Sequence, residues 1–356
     1  MEGDVIEAKW WEEAEDDQLR CLLCPRYCLI GEGKAGFCFV RRNQDGKLYS
    51  LAYAHPSALQ VDPIEKKPLS HFLPGTNILS LGTAGCNMGC RFCQNWDLSK
   101  AKLTQRAAQE LSPEDAVELA IKHNCRSLAF TYNEPTIWGE YAIELSRLGR
   151  LRGLKSVMVT AGYITQQALL DVYEFIDAAN IDLKSFREDF YQQYVKAELQ
   201  PVLDALVTLR NDTDVWLELT TLLIPTLNDS NEELGELCRW VVDHLGPDTP
   251  LHLTAFHPDF KLNDLPRTPS ATLSRARDIA QGCGLHYVYT GNVHDPAGQT
   301  TYCPKCNEAV IERDWHAVRA VRLKNGACSY CGETIAGHFS DDAAPPSNGH
   351  VKPLPI

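Results

Sequence analysis

The sequence predicts an α/β protein, an open or partial α/β barrel flanked by two cysteine-rich pieces. Two observations carry this. From residue 77 onward, short apolar stretches alternate with helical segments, and the cysteines fall into three tight groups, one before, one inside and one after that alternation. Six or seven strand–helix units in series imply parallel strands, because parallel neighbours need a long crossover connection.

Ile78–Leu81 reads as a buried strand that ends in the Gly82–Gly85 loop. Ser112-Pro113-Glu114-Asp115 is a helix start, with a capping Ser, Pro at the first helical position and an acid three residues after the cap. The alternation continues with strands at Ser127–Tyr132, Ser156–Val159, Ala178–Leu183, Val215–Ile224, Leu251–Phe256 and Tyr287–Thr290. Between them lie helices near Thr136–Leu151, Thr165–Phe175, Tyr191–Leu209, Asn231–His244 and Ala271–Gln281. Asp45-Gly46 marks a hairpin turn. Pro56–Pro74 reads as connecting sequence. The expected organisation is an acidic lead-in (1–20, with Trp10 and Trp11 as docking anchors), a four-Cys region (21–76), the barrel (77–298), a cysteine module (299–338) and a disordered tail (339–356).

Lys plus Arg total 34 against 47 Asp plus Glu, a formal net charge of −13. That balance repels phosphate backbones and disfavours nucleic acid as the main partner. No apolar run reaches the ~18–20 residues of a membrane span, and the acidic start resembles neither a signal nor a transit peptide. The expected compartment is the cytoplasm. Fourteen cysteines in reducing surroundings read as metal ligands rather than disulfides. Cys125, Cys238 and Cys283 stand alone and read as small core hydrophobes.

Thr83-Ala84-Gly85-Cys86-Asn87-Met88-Gly89-Cys90-Arg91-Phe92-Cys93 puts three thiols within eight residues of a glycine-rich loop. Four thiolates saturate an iron–sulfur cubane, so three leave one iron open. Structural zinc prefers four ligands in Cys-x2-Cys pairs. Cys303-x2-Cys306 and Cys328-x2-Cys331 have that paired form, with 21 residues between the pairs. They predict a closed zinc site, with rubredoxin-like iron as the alternative. Cys21-x2-Cys24-x3-Cys28-x9-Cys38 also suggests a closed four-thiolate site. Its spacing does not distinguish zinc from an auxiliary iron–sulfur cluster.

The Cys86-x3-Cys90-x2-Cys93 pattern, with Phe92 before the last cysteine, resembles the radical S-adenosylmethionine (SAM) signature. The wider match resembles the pyruvate formate-lyase activating enzymes, and more closely the radical SAM component of the AmmeMemoRadiSam system. It rests on Cys21-Leu22-Leu23-Cys24-Pro25, Asp62-Pro63-Ile64-Glu65-Lys66-Lys67-Pro68-Leu69 and Thr131-Tyr132-Asn133-Glu134-Pro135-Thr136, and runs from about Cys21 to Gly332. The resemblance implies a partial (β/α)6-type radical SAM barrel with a zinc-ribbon-like module. It implies a [4Fe–4S] cluster on Cys86, Cys90 and Cys93 that cleaves SAM reductively to methionine and a 5′-deoxyadenosyl radical. A reduced flavodoxin or ferredoxin would supply the electron. A companion protein of the same system would be the substrate, with the ribbon as docking surface.

Carried over by position, Phe92 lies near the adenine and shields the cluster, while Glu134 meets the amino group of SAM. Asp182, Lys184 and the strand-end His257 lie near SAM, and Thr160 supplies a hydroxyl. Each has a plainer structural alternative: Glu134 as a helix-start acid, Asp182–Lys184 as a salt bridge, His257 as a loop histidine. Val159-Thr160-Ala161-Gly162 departs from the Asp-Thr-Asn-Gly of the activating enzymes, which puts a cation site like theirs in doubt. Radical chemistry on a small metabolite or nucleic acid is a second enzymatic reading. A metal-braced interaction module without catalysis is the alternative of another class.

Overall fold

Seven consecutive strands align in parallel: Asn77–Gly82, Cys125–Phe130, Lys155–Thr160, Ala178–Asp182, Trp216–Leu223, Leu251–Ala255 and Val288–Gly291. The computed structural model describes residues 6–102, 110–339 and 347–355. Residues 1–5 of the acidic lead-in and 340–346 of the expected disordered tail lie outside that range. The strands are buried almost continuously, as parallel strands covered on both faces must be. Their crossovers are the helices Pro113–Lys122, Gly139–Leu151, Gln166–Tyr173, Gln200–Asp212, Asn231–Leu245 and Ser270–Gly282.

Local chemistry sets the helix starts. The Ser112, Thr165 and Ser230 side chains each accept a hydrogen bond from the backbone N–H three residues on, satisfying a donor left over at a helix start. The region expected as one helix at Tyr191–Leu209 is instead a π turn at Tyr191–Val195 followed by the Gln200–Asp212 helix. Lys196, in the left-handed conformation, separates them.

The N-terminal region, including the acidic lead-in, is sheet from its first described residues. Ile6–Glu7, Lys47–Ser50 and Arg41–Gln44 form one antiparallel sheet, and Trp11–Glu13, Leu19–Cys21 and Leu29–Ile30 another. Asp45-Gly46 is the two-residue hairpin turn, with positive φ at both residues. Trp10 is buried, and its indole N–H donates to Asp171 at 2.9 Å. The Arg41 guanidinium clamps the Glu140 carboxylate with two 2.7 Å bonds and also reaches the Ile137 carbonyl. This buried pair ties the N-terminal region to the barrel.

Two stretches expected to be passive have fixed places. Within Pro56–Pro74, Ala58–Pro63 is an antiparallel strand on the edge of the barrel sheet, and residues 64–73 fold across the barrel floor. There the Glu218 carboxylate accepts from the Ser70 and His71 amides at 2.8 and 2.7 Å and from His252 Nε2 at 2.7 Å. Asn180 donates to the Pro68 carbonyl. In the tail, Lys352–Pro353 pairs with Val61 and Gln60. An exposed strand edge is a template for such pairing whatever the composition of the added segment.

Charge removal at Glu218 is predicted to be costly, because the floor amides and His252 lose their common acceptor. Glu218→Ala should lose about 3–5 kcal/mol of stability in denaturant unfolding, whereas Glu12→Ala, in an exposed pair with Arg20, should fall within about 1 kcal/mol of wild type.

Candidate functional site

The Thr83–Cys93 loop leaves the C-terminal end of the first parallel strand, where ligands bind in such sheets. Asn133, after the second strand, fixes its start. The Asn133 side chain accepts from Thr83 N at 3.1 Å and donates to Thr83 Oγ1 and the Gly85 carbonyl at 2.9 Å. Farther along, the Gly89 and Arg91 amides donate to the Val195 and Tyr194 carbonyls. Lys100 Nζ donates to the Met88 carbonyl, and Asn87 Nδ2 to that of Tyr163. Gly89 has no room for a side chain, since a Cβ would lie 2.8 Å from the Lys196 side chain. The loop is held from several sides before any cofactor binds.

Cys86, Cys90 and Cys93 all line one central cavity of about 700 Å³. Burial pushes the Cys86 thiol up to about 12 and Cys90 to about 11, so binding of a metal must displace protons. Phe92 is buried beside them, its ring 5.8 Å from that of Phe190.

Glu134, Thr160, Asp182 and Lys184 line the same cavity. Glu134 Oε1 accepts from Thr160 Oγ1 at 2.5 Å and from Thr136 N and Oγ1, while Oε2 accepts from the Ala161 amide at 2.8 Å. Its helix-start role is therefore real, and it faces the cavity as well. Burial raises its pKa above the usual carboxylate value despite these donors. Lys184 Nζ lies 2.8 Å from Asp182 Oδ2, so the plain salt bridge is also present. His257 is set apart at the exposed rim, where its Nδ1 lies 3.1 Å from Gln94 Nε2. Gln94, not His257, lines the cavity.

The cavity continues down the barrel. Thr220 and Leu222, like His252 and Thr254, alternate along their strands and face inward. At the side lies a cluster around Asp62, which accepts from Lys66, Lys67 and Tyr132 at 2.9, 2.5 and 2.8 Å. Lys67 is buried, which pulls its ammonium down to about 8 although Asp62 opposes the shift. Glu65 is pushed up to about 7 by burial, with Arg313 pulling the other way, and its Oε2 has no hydrogen-bond partner. Gln299, Arg313, Trp315 and His316 of the cysteine module complete the wall.

That module places Cys303 and Cys331 Sγ at 3.6 Å, and Cys306 and Cys328 Sγ at 3.7 Å. Metal–sulfur bonds of about 2.3 Å in a tetrahedron put sulfurs roughly 3.8 Å apart, so the four fit a single ion. Cys21, Cys24, Cys28 and Cys38 converge around a separate small cavity in the N-terminal region. Cys125 and Cys238 are buried in the main core and Cys283 packs against it, as expected of apolar cysteines.

A protein-family model described as the radical SAM superfamily matches residues 80–241. An uncharacterized protein of Methanocaldococcus jannaschii is 43% identical over 331 residues, spanning 92% of this chain and 98% of its own. The chain belongs to the radical SAM superfamily. Solved structures that match part of the chain include a domain of pyruvate-formate lyase-activating enzyme from Bacteroides vulgatus. It has 15% identity and a TM-score of 0.41, and covers 47% of this chain and 99% of that one. SuiB of Streptococcus suis bound to S-adenosylmethionine has 14% identity and a TM-score of 0.47, covering 65% and 53%.

Membership of the radical SAM superfamily supports SAM cleavage at an iron–sulfur cluster. Among the described residues, no helix is long and apolar enough to cross a membrane. Reading the sequence missed Asn133 as the brace of the radical SAM loop and missed the Asp62–Lys67 cluster, although both lie in motifs that carried the resemblance. The signal was a concentration of charge in an otherwise buried segment, Asp62-Pro63-Ile64-Glu65-Lys66-Lys67. The ribbon's part in the cavity wall has no sequence signal.

Because the four thiols of the C-terminal cysteine module converge at metal-ligand distance, Cys328→Ala is expected to loosen residues 299–338 selectively. Limited proteolysis should cut there first, while the parallel-stranded core stays resistant.

Proposed function

We propose that the chain is a radical SAM enzyme that makes a 5′-deoxyadenosyl radical and uses it to take hydrogen from a substrate held in the barrel cavity. The observation that carries this is the meeting of Cys86, Cys90 and Cys93 with Glu134, Thr160, Asp182 and Lys184 in one cavity. Cys86, Cys90 and Cys93 would hold a [4Fe–4S] cluster with one open iron, which supplies the electron that breaks the sulfonium bond of SAM. Glu134 holds negative charge where an ammonium group would neutralise it, so it suits the amino group of SAM. Thr160 fixes that carboxylate, the Asp182–Lys184 pair offers opposite charges to the polar parts of SAM, and Phe92 keeps water from the cluster. His257 acts from the rim, through Gln94.

The ribbon quartet is assigned to zinc, on its sulfur spacing. The companions of the AmmeMemoRadiSam system, which this chain resembles, are the protein substrates to test, with a reduced flavodoxin or ferredoxin as donor and the cytoplasm as compartment. A second reading, hydrogen abstraction from a small metabolite, is favoured by the cavity itself. It runs past the cysteines to Lys66, Lys67 and His316, and the ribbon walls it.

Anaerobically reconstituted and reduced wild-type protein should convert SAM to 5′-deoxyadenosine, and Cys86→Ala should not. No product from a wild type whose cluster is confirmed by spectroscopy, even with companion proteins and a low-mass cell extract added, would favour the metal-braced interaction module. Stimulation by the companions alone selects the activase-like reading, and stimulation by the low-mass fraction alone selects the metabolite. Glu134→Gln keeps the shape but removes the charge, and should weaken SAM binding about tenfold in equilibrium dialysis, in line with about 1.5 kcal/mol for a charge-assisted hydrogen bond.

A further inference from the structure

Two cysteine quartets in this chain offer the same four donors in different arrangements. Among the described residues, Cys303, Cys306, Cys328 and Cys331 are the one group of three or more possible metal ligands whose donor atoms all lie within 4.8 Å of one another. Cys21, Cys24, Cys28 and Cys38 do not close to that distance, and neither do Cys86, Cys90 and Cys93. Neither the N-terminal quartet nor the radical SAM triplet is drawn together as tightly as the ribbon thiols are. A lone tetrahedral ion draws its sulfurs to roughly 3.8 Å, whereas a cubane interposes four irons and spreads its thiolates to roughly 6 Å.

The wider spacing is not dispersal. All four thiols line one small cavity, which has apolar walls from Leu23, Ile30 and Ile137. A Cβ on Gly36 would stand 3.5 Å from Cys28 Sγ. Two cations, Arg26 and Arg41, border the cavity, and Arg41 is wholly buried. A cluster carried by four thiolates has net negative charge, which Arg26 at the border offsets in part, Arg41 being shared with Glu140, and which apolar walls shield from water.

The quartet also abuts the radical SAM loop. The Cys38 carbonyl lies so close to Gly85 that a Cβ there would stand 2.1 Å from it, and Gly85 precedes Cys86. Arg26 donates to the carbonyls of Asn87 and Lys196. Asn87 sits between Cys86 and Cys90 and itself borders the quartet's cavity. The chain around Cys38 and the loop that begins at Gly85 are thus in direct backbone contact.

We infer that Cys21, Cys24, Cys28 and Cys38 hold a second [4Fe–4S] cluster, ligated by thiolate at every iron, that exchanges single electrons with the cluster at Cys86, Cys90 and Cys93. The presence of the second cluster is independent of the proposed radical activity; its relay role rests on that reading. With no open iron it binds no substrate. A donor of the low-potential ferredoxin or flavodoxin class gives up one electron, the second cluster passes from the 2+ to the 1+ state, and it returns to 2+ as the first cluster is reduced. No bond or proton changes hands.

The test counts metals in anaerobically reconstituted, desalted wild-type protein, which requires no variant to fold. About eight iron, eight sulfide and one zinc per chain are expected, against about four iron and two zinc if the quartet holds a single ion. The second result overturns the inference. The triple variant Cys86→Ala/Cys90→Ala/Cys93→Ala should keep about four iron and, once reduced, a [4Fe–4S] EPR signal that added SAM leaves unchanged. A triple variant that folds, by circular dichroism, yet holds no iron also overturns it. Failure of the radical SAM reading looks different: the wild type would keep its eight irons, but SAM would perturb no part of the EPR signal and no 5′-deoxyadenosine would form.

Discussion

A carboxylate buried inside a barrel must find partners, and Glu218 finds them on two distant parts of the chain. Burial alone would raise its pKa. The hydrogen bond and charge of His252, the charge of His71 and the Ser70 amide outweigh burial and hold it below the usual value. The Ser70 and His71 amides bring the linker across the floor. His71 in turn meets Tyr289 of the last parallel strand and the Ala336 carbonyl of the ribbon, each at 2.6 Å. One buried charge thus joins barrel, linker and ribbon, and sets the floor and side wall of the cavity. An uncompensated charge there is the expensive alternative.

The same logic divides the cavity. Near the cysteines, polar groups are largely committed to one another: Glu134 to Thr160 and the Ala161 amide, Asp182 to Lys184. Deeper in, commitment is incomplete. The Glu65 Oε2 and Arg313 Nε atoms have no hydrogen-bond partner, and the two side chains approach only to 3.9 Å. A fixed upper site with a less satisfied lower one is what an enzyme needs if one reagent is constant and the other must be recognised. The flanking cysteine groups complement this division: the C-terminal cysteine module walls the lower end, while the N-terminal quartet abuts the upper loop.

Features set by neighbours in sequence were legible. The parallel strands, the Ser112 cap and the Asp45-Gly46 hairpin follow from period and turn chemistry, which act over a few residues. The Cys86/Cys90/Cys93 loop and the ribbon knuckles were legible for the same reason. What escaped depends on distant partners. Residues 64–73 look like a charged linker because nothing local says that Glu218, about 150 residues on, will accept from their amides. Lys352–Pro353 looks like tail because edge pairing leaves no pattern in the added segment. His257, expected near SAM by analogy of position, lies at the exposed rim beside Gln94, a placement set by the loop after its strand. The unequal spacing of the two cysteine quartets, too, exists only in three dimensions.

The central claim is that the open iron at Cys86, Cys90 and Cys93 takes SAM into this cavity. Electron–nuclear double resonance on the reduced protein, with SAM labelled by nitrogen-15 at its amino group, tests it most directly. The account predicts a nitrogen-15 coupling to a cluster in the wild type that is absent in Cys93→Ala. A wild type with an intact reduced cluster and no such coupling would contradict it.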